Sequence, residues 1–100
     1  MKYYILEGKM KPNIPQGSEF KKILDAHHQF MVPYFEAGKI LTSGPLIGGR
    51  GGVIIIRLED NENIDDFIAA DPFAQSGIQE YHISQFQVYQ IQGYADQWRG

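Results

Sequence analysis

The order of strand-like and helix-like segments constrains the fold of this chain more than any other feature. Tyr3 to Leu6 is a β-branched and aromatic run that ends at Gly8, and this pattern predicts a first strand. Lys9 to Gly17 contains Pro12 and Pro15 and should be a loop. Apolar residues then recur every three or four positions, as on one face of an amphipathic helix. This apolar stripe consists of Phe20, Leu24, His27, Met31 and Phe35.

The ends of this first helix carry their own signals. Ser18 is the expected N-cap, and Glu19 beside it suits the positive end of the helix dipole. Pro33 lacks an amide hydrogen and should kink the helix, and Gly38 should end it. The helix is therefore expected to lead directly into a second strand.

The second half of the chain begins with a hairpin pattern. Lys39 to Leu46 and Val53 to Glu59 are predicted strands, joined by the glycine-rich turn Gly48 to Gly52. A phosphate-binding loop would need a helix after the glycines, whereas a β-branched strand follows them here. The glycine run is therefore interpreted as a hairpin turn.

A second helix and a last strand complete the pattern. Asp60 or Asn61 should cap the helix, and Asp71–Pro72 should begin a short turn after it. The apolar face of the helix is expected to be Ile64, Phe67 and Ile68, and the last strand is expected from Gln79 to Gln92. The order β-α-β-β-α-β is that of a ferredoxin-like α+β fold, with an antiparallel sheet and both helices on one face.

Such a fold leaves one sheet face without helices, so apolar and polar residues should alternate along its strands. They do not alternate cleanly here. Val53 to Ile56 is apolar on both sides, and the last strand changes phase, which a bulge near Ser84–Gln85 would explain. Burial of that face in a homodimer, sheet against sheet, is the simplest expectation. The alternative is that Tyr94 and Trp98 of the C-terminal tail fold back over it.

Length and composition limit the possibilities. One hundred residues correspond to one domain, expected over residues 1–92 with a tail at 93–100. The net charge of −3 argues against a nucleic-acid partner. The absence of cysteine excludes thiolate chemistry and favours a cytoplasmic location, and no segment is long and apolar enough for a membrane span.

His27 and Asp71 are the residues best suited to chemistry without a metal or cofactor. An imidazole and a carboxylate brought together can transfer protons. The alternatives are a core histidine on the apolar stripe and an aspartate that only caps a helix before Pro72. A cap does not exclude the chemical role, because a carboxylate that caps a helix with one oxygen is expected to be able to orient an imidazole with its second oxygen.

Other polar residues have simpler interpretations. His28 points about 100° away from His27 around the helix, and the three histidines have no ligand spacing, so no metal site is expected. Ser43 is expected to hydrogen-bond a substrate or the backbone. Tyr3, Tyr34 and Tyr81 are interpreted as packing residues of the core or of the dimer.

Three motifs in order resemble the YCII-related (YciI-like) family. They are Ala26–His27, the run Gly38 to Pro45, and Asp71–Pro72–Phe73 followed by Gly77. The resemblance implies a dimeric α+β barrel related to muconolactone isomerase, with a site built on His27 and Asp71. One branch of the family resembles a dehydrochlorinase acting on a chlorinated hydroxyquinol.

Two functions follow from these patterns and this resemblance. The first is a cofactor-free enzyme in which His27 and Asp71 transfer a proton during isomerisation or elimination of a small organic molecule. Its pocket would lie between the first helix and the sheet, with Ser43, Gly44, Pro45 and Phe73 binding the substrate. The second is a non-catalytic dimeric module that binds a small ligand or a partner.

Overall fold

The apolar runs of the sequence form the centre of one four-stranded antiparallel sheet, in a computed structural model that describes residues 1–100. The strand order is β2-β3-β1-β4. The elements are β1 (Lys2–Met10), α1 (Ser18–Glu36), β2 (Ile40–Pro45), β3 (Gly51–Leu58), α2 (Ile64–Ala70), α3 (Pro72–Gln75), β4 (Gln79–Phe86) and a C-terminal 3₁₀ helix (Gly93–Arg99). This order and topology confirm the predicted ferredoxin-like α+β fold.

The core lies between the sheet and the helices because alternate residues of the two central strands face the helices. Leu6 of β1 and Ile56 of β3 are completely buried there. Met31 of α1 and Phe67 of α2 belong to the same buried cluster. The intervening residues point to the helix-free face, where Ile5 pairs with Ile55 across the two strands. Both faces of these strands are therefore apolar, as the sequence predicts.

The bounds of all four strands differ from those expected, most clearly in β1 and β4. β1 continues through Gly8 to Met10 because Gly8 pairs with Gly52 on one side and with Tyr81 on the other. β4 ends at Phe86 rather than at Gln92. Its pairing with β1 is continuous, so the bulge expected near Ser84–Gln85 is absent, and the irregularity lies instead in β2, between Ile40 and Thr42.

The expected caps of the two longer helices were wrong. Gly17, with φ 64°, occupies the N-cap of α1, so that Ser18 is already helical. Asn63 caps α2, and its side chain accepts a hydrogen bond from the amide of Asp65 at 2.9 Å. Asp60 is engaged elsewhere, in a 3.0 Å ion pair with the N-terminal amine.

The C-terminal 3₁₀ helix covers one end of the helix-free sheet face through Trp98. The indole of Trp98 lies 5.3 Å from the ring of Tyr3, and its Nε1 donates to the carbonyl of Lys39 at 3.0 Å. Arg57 donates to the Trp98 carbonyl at 2.6 Å. Tyr94 is 91% exposed and covers nothing. No helix has the length and hydrophobicity needed to cross a membrane.

Candidate active site

Asp71 lies at the junction of α2 and α3, where its backbone is extended. Pro72 follows as the first residue of α3, where an amide hydrogen would have no acceptor within the helix, so the proline loses no helical hydrogen bond. The Asp71 carboxylate accepts a hydrogen bond from the amide of Phe73 at 3.0 Å through Oδ1. The predicted cap is therefore present, and it holds a carboxylate that is completely buried.

The same carboxylate oxygen also meets the imidazole of His27. The distance from His27 Nδ1 to Asp71 Oδ1 is 2.7 Å, and the His27 side chain is only 12% exposed. The hydroxyl of Tyr81 donates to the other oxygen, Oδ2. Asp71 thus joins three elements: α1 through His27, α3 through Phe73 and β4 through Tyr81.

These contacts fix the roles of the two imidazole nitrogens. An ionised carboxylate can only accept hydrogen bonds, so we assign the proton of the neutral His27 ring to Nδ1. Nε2, on the far side of the ring, is then the unprotonated nitrogen that can act as a base. This is the orientation that the aspartate of a catalytic triad gives its histidine.

Aromatic packing holds the His27 ring in place. The ring of Phe73 lies 4.2 Å from it at an interplanar angle of 17°, in a stacked arrangement, and Phe73 is itself 4% exposed. Phe20 lies on the other flank of Phe73, with the two ring centres 6.3 Å apart. Phe20 and His27, two residues of the apolar stripe of α1, therefore both pack against the same residue of α3, Phe73.

Tyr81 is adapted to remain a hydrogen-bond donor. Burial raises the pKa of its hydroxyl well above the ordinary value, and both the hydrogen bond to Asp71 and the negative charge of that carboxylate raise it further. The nearby Gln79 side chain acts in the opposite direction but is the smallest influence. The hydroxyl is therefore protonated at neutral pH and can donate to Asp71.

A cavity of about 610 Å³ lies between α1 and the sheet, within the usual range for small-molecule sites. His27 lines it, and so do Ser43, Gly44, Pro45 and Phe73, the residues expected to bind a substrate. Apolar side chains from α1, β1 and β3 supply most of the remaining wall: Met10, Leu24, Met31, Val32, Phe35 and Ile54. The apolar stripe of α1 thus borders the cavity as well as the core, which explains why Phe35 is 43% exposed.

Several residues of the site lacked a sequence signal. Tyr81, interpreted from the sequence as a packing residue, touches both Asp71 and the cavity. His28 also lines the cavity, with its ring centre 5.8 Å from that of His27. Gly51 and Gly52, expected in the turn, belong to β3 and to the cavity wall. A Cβ atom at Gly51 would lie 1.8 Å from the carbonyl oxygen of Gly8, so only glycine allows β1 and β3 to approach there.

No group of three histidine, aspartate or glutamate side chains is placed to hold a metal ion. His82, the third histidine, is exposed on β4 and takes no part in the cavity lining.

The fold and this geometry define a small α+β protein with a histidine–aspartate pair beside an apolar cavity. Residues 1–87 match the YCII-related domain, and the chain belongs to that family. No curated protein matches the chain.

A similar solved structure is that of 5-chloro-2-hydroxyhydroquinone dehydrochlorinase from Burkholderia phenoliruptrix in complex with 2,5-dihydroxybenzoquinone. The two sequences are 20% identical, and the structures superpose with a TM-score of 0.65. The match covers 84% of this chain and 92% of the dehydrochlorinase chain. At this identity the likeness shows a shared fold.

Proposed function

We propose that this protein is a cofactor-free enzyme in which His27 transfers a proton to and from a small organic substrate. The observation that carries the proposal is the 2.7 Å contact between His27 Nδ1 and the buried carboxylate of Asp71, beside a cavity that His27 lines. An imidazole whose Nδ1 proton is held by a carboxylate presents the other nitrogen as a general base.

In the proposed mechanism, Nε2 of His27 removes a proton from a carbon acid or from a hydroxyl of the substrate. The imidazolium that forms is stabilised by Asp71, whose carboxylate has no cationic side chain among its partners. Tyr81 and the amide of Phe73 keep the carboxylate from rotating away. His27 can then return the proton to another atom, which completes an isomerisation, or a leaving group can depart, which completes an elimination.

The reaction class draws its support from the family and from the structural neighbour. The neighbour is named as a dehydrochlorinase and its structure contains a dihydroxybenzoquinone. A dehydrochlorination balances when the base takes one proton and the substrate releases one chloride. Ser43, Gly44, Pro45 and Phe73 are proposed to contact the substrate, because all four line the cavity beside His27.

Chloride release from 5-chloro-2-hydroxyhydroquinone tests the elimination, and proton NMR in D₂O tests proton exchange in a panel of small cyclic ketones and enols. The wild-type chain is expected to catalyse at least one of these reactions. His27→Gln should abolish it, and His82→Gln should retain most of it, because His82 is exposed on β4 and lies outside the cavity lining. Equal activity in wild type and His27→Gln would rule out the proposed base. A chain that binds these compounds without any turnover would instead be the ligand-binding module considered above.

We also propose that the chain forms a homodimer through its helix-free sheet face. Ile5 is 38% exposed there, and Val53, Ile55 and Phe86 are only half-buried. Trp98 covers just one end of the face, which leaves the centre to a second copy. The cysteine-free sequence is the ground for proposing a cytoplasmic location.

A further inference from the structure

The wall of the cavity carries no fixed charge. Seventeen residues line it, and none of them is lysine, arginine, aspartate or glutamate. Its titratable groups are the imidazoles of His27 and His28 and the phenol of Tyr81. A carboxylate or phosphate entering this space would lose hydration without meeting a lysine or arginine. The lining therefore favours an uncharged, largely apolar ligand.

One side chain of the wall has an unused hydrogen-bonding group. Gln79, the first residue of β4, is 5% exposed, and its Oε1 is buried without any hydrogen-bond partner. An unpaired buried carbonyl oxygen is unfavourable, because it has lost its hydrogen bonds to water and gained none. Such a group in a cavity wall is satisfied when a ligand supplies a donor.

The position of the Gln79 amide is set by Gly8 on the neighbouring strand. A Cβ atom at Gly8 would lie 2.4 Å from Nε2 and 2.7 Å from Cδ of Gln79. The amide therefore lies across the bare backbone of Gly8, at the Tyr81 end of the site. The terminal torsion of glutamine has a broad minimum, so rotation of the amide can bring Oε1 to a donor in the cavity.

We propose that the cavity binds an uncharged, largely apolar small molecule bearing an O–H or N–H donor, and that Gln79 Oε1 accepts a hydrogen bond from that donor. This inference deepens the proposed function, because it names the ligand class and the specificity-determining residue of the same site. Gln79 recognises the hydrogen-bond donor of the ligand, whereas His27 and Asp71 carry out the proton transfer. Polar sites of this kind discriminate strongly against analogues that lack the donor.

The test is an NMR titration of the ¹⁵N-labelled chain with three probes: hydroquinone, 1,4-dimethoxybenzene and 2,5-dihydroxybenzoate. Hydroquinone should bind about tenfold or more tightly than its dimethyl ether, because only hydroquinone supplies a donor to Gln79. The benzoate, which carries a charge, should bind more weakly than hydroquinone. This comparison uses the wild-type chain and does not depend on the folding of a variant.

Gln79→Met removes the acceptor at nearly constant volume and should abolish the preference for hydroquinone over the ether. Gln85→Met is the matched control, since Gln85 lies on the same strand outside the cavity lining. Equal binding of hydroquinone and the ether by wild type, a preference retained in Gln79→Met, tighter binding of the benzoate, or no binding of any probe would each overturn the inference.

The titration measures binding and not turnover, so it separates this inference from the proposed catalysis. A Gln79-dependent preference in a chain without activity supports the ligand assignment and counts against the enzyme. Activity that depends on His27, in a chain that does not prefer hydroquinone over the ether, supports the enzyme and counts against the ligand assignment.

Discussion

His27 and Asp71 meet at the oxygen that also caps a helix. Asp71 Oδ1 accepts from the Phe73 amide at 3.0 Å and lies 2.7 Å from His27 Nδ1, while Oδ2 is taken by Tyr81. The capping role and the contact with the imidazole therefore do not compete. The cap fixes the carboxylate at the start of α3, and this fixed position is what allows it to orient a ring on α1.

Asp71→Asn should keep these two contacts and remove the negative charge. Asparagine caps helices as well as aspartate does, so α3 should persist. Its oxygen can also take the place of Oδ1 beside His27, so the Nδ1 proton keeps its acceptor, but the neutral amide does not stabilise the imidazolium that forms during proton transfer. Activity should fall roughly 10²–10⁴-fold.

Side-chain ¹⁵N NMR of His27 reports the tautomer directly. The wild-type ring should carry its proton on Nδ1, and the ring in Asp71→Asn should keep it there, because the asparagine oxygen can accept it. Asp25→Asn is the control, because Asp25 pairs at 2.7 Å with Lys21 on the exposed surface of the same helix. A wild-type ring that carries its proton on Nε2 would contradict the assigned contact.

Sequence reasoning located His27 and Asp71 because each belongs to a local pattern. His27 lies on an apolar helix stripe, and Asp71 precedes a proline at a helix start, so their positions follow from neighbours a few residues away. The cap of α1 was missed by one residue and that of α2 by two or three. Asp60, one of the residues expected to cap α2, is held by the N-terminal amine, a contact between distant parts of the chain.

Tyr81 and Gln79 carry no comparable local signal. Their place in the site depends on the register of β4 against β1, where Tyr81 pairs with Gly8 and Gln79 pairs with Met10. Register is set by pairing over long sequence distances, and a shift of one residue would turn both side chains to the other face. The same pairing carries β1 past Gly8, where the sequence pattern places its end.

Tyr81→Phe should destabilise the fold at neutral pH by about 1–2 kcal/mol, because it leaves Oδ2 of a buried carboxylate without its donor. The pKa of Tyr81 is raised in the folded state, so its contribution is complete below the unfolded value of about 10 and declines as the pH rises above it. The difference in unfolding free energy between wild type and variant should therefore shrink above that pH.

Urea unfolding at several pH values between neutral and alkaline measures this difference. Tyr34→Phe is the control for loss of a hydroxyl from a core ring, since Tyr34 packs edge-on against Phe67 at 4.8 Å, away from Asp71. If the difference in unfolding free energy between wild type and Tyr81→Phe grows with pH, the Tyr81 hydroxyl does not stabilise the fold as a protonated donor.

Glu62→Gln should destabilise the fold at neutral pH and not in acid. The hydrogen bond from Lys39 lowers the pKa of Glu62, and the Glu59 amide, which donates to it at 2.8 Å, lowers it further. A lowered folded pKa gives stability that is present above the unfolded value of about 4.3 and is lost as the pH falls through the folded value.

The difference in unfolding free energy at neutral pH should be at most about 1 kcal/mol, because the pair is partly exposed. Thermal or urea unfolding from neutral to strongly acidic pH measures how that difference disappears. Glu80→Gln serves as the control, since its 3.6 Å pair with Lys11 lies on the exposed surface and should contribute almost nothing at any pH. A Glu62→Gln effect of constant size across this range would refute the assignment to the ionised carboxylate.

Ile5→Lys should convert a dimer into a monomer. Ile5 and Ile55 pair at the centre of the helix-free face, and a lysine there would place a charge inside the proposed sheet-to-sheet contact.

Ile83 is the matched control: it is 37% exposed against 38% for Ile5, but it pairs with Leu6 and so lies on the opposite face of the sheet. Sedimentation at micromolar concentration should give twice the 11.4 kDa chain mass for wild type and Ile83→Lys, and the chain mass itself for Ile5→Lys. A monomeric wild type would mean that Trp98 and the half-buried side chains around it suffice to protect this face from water.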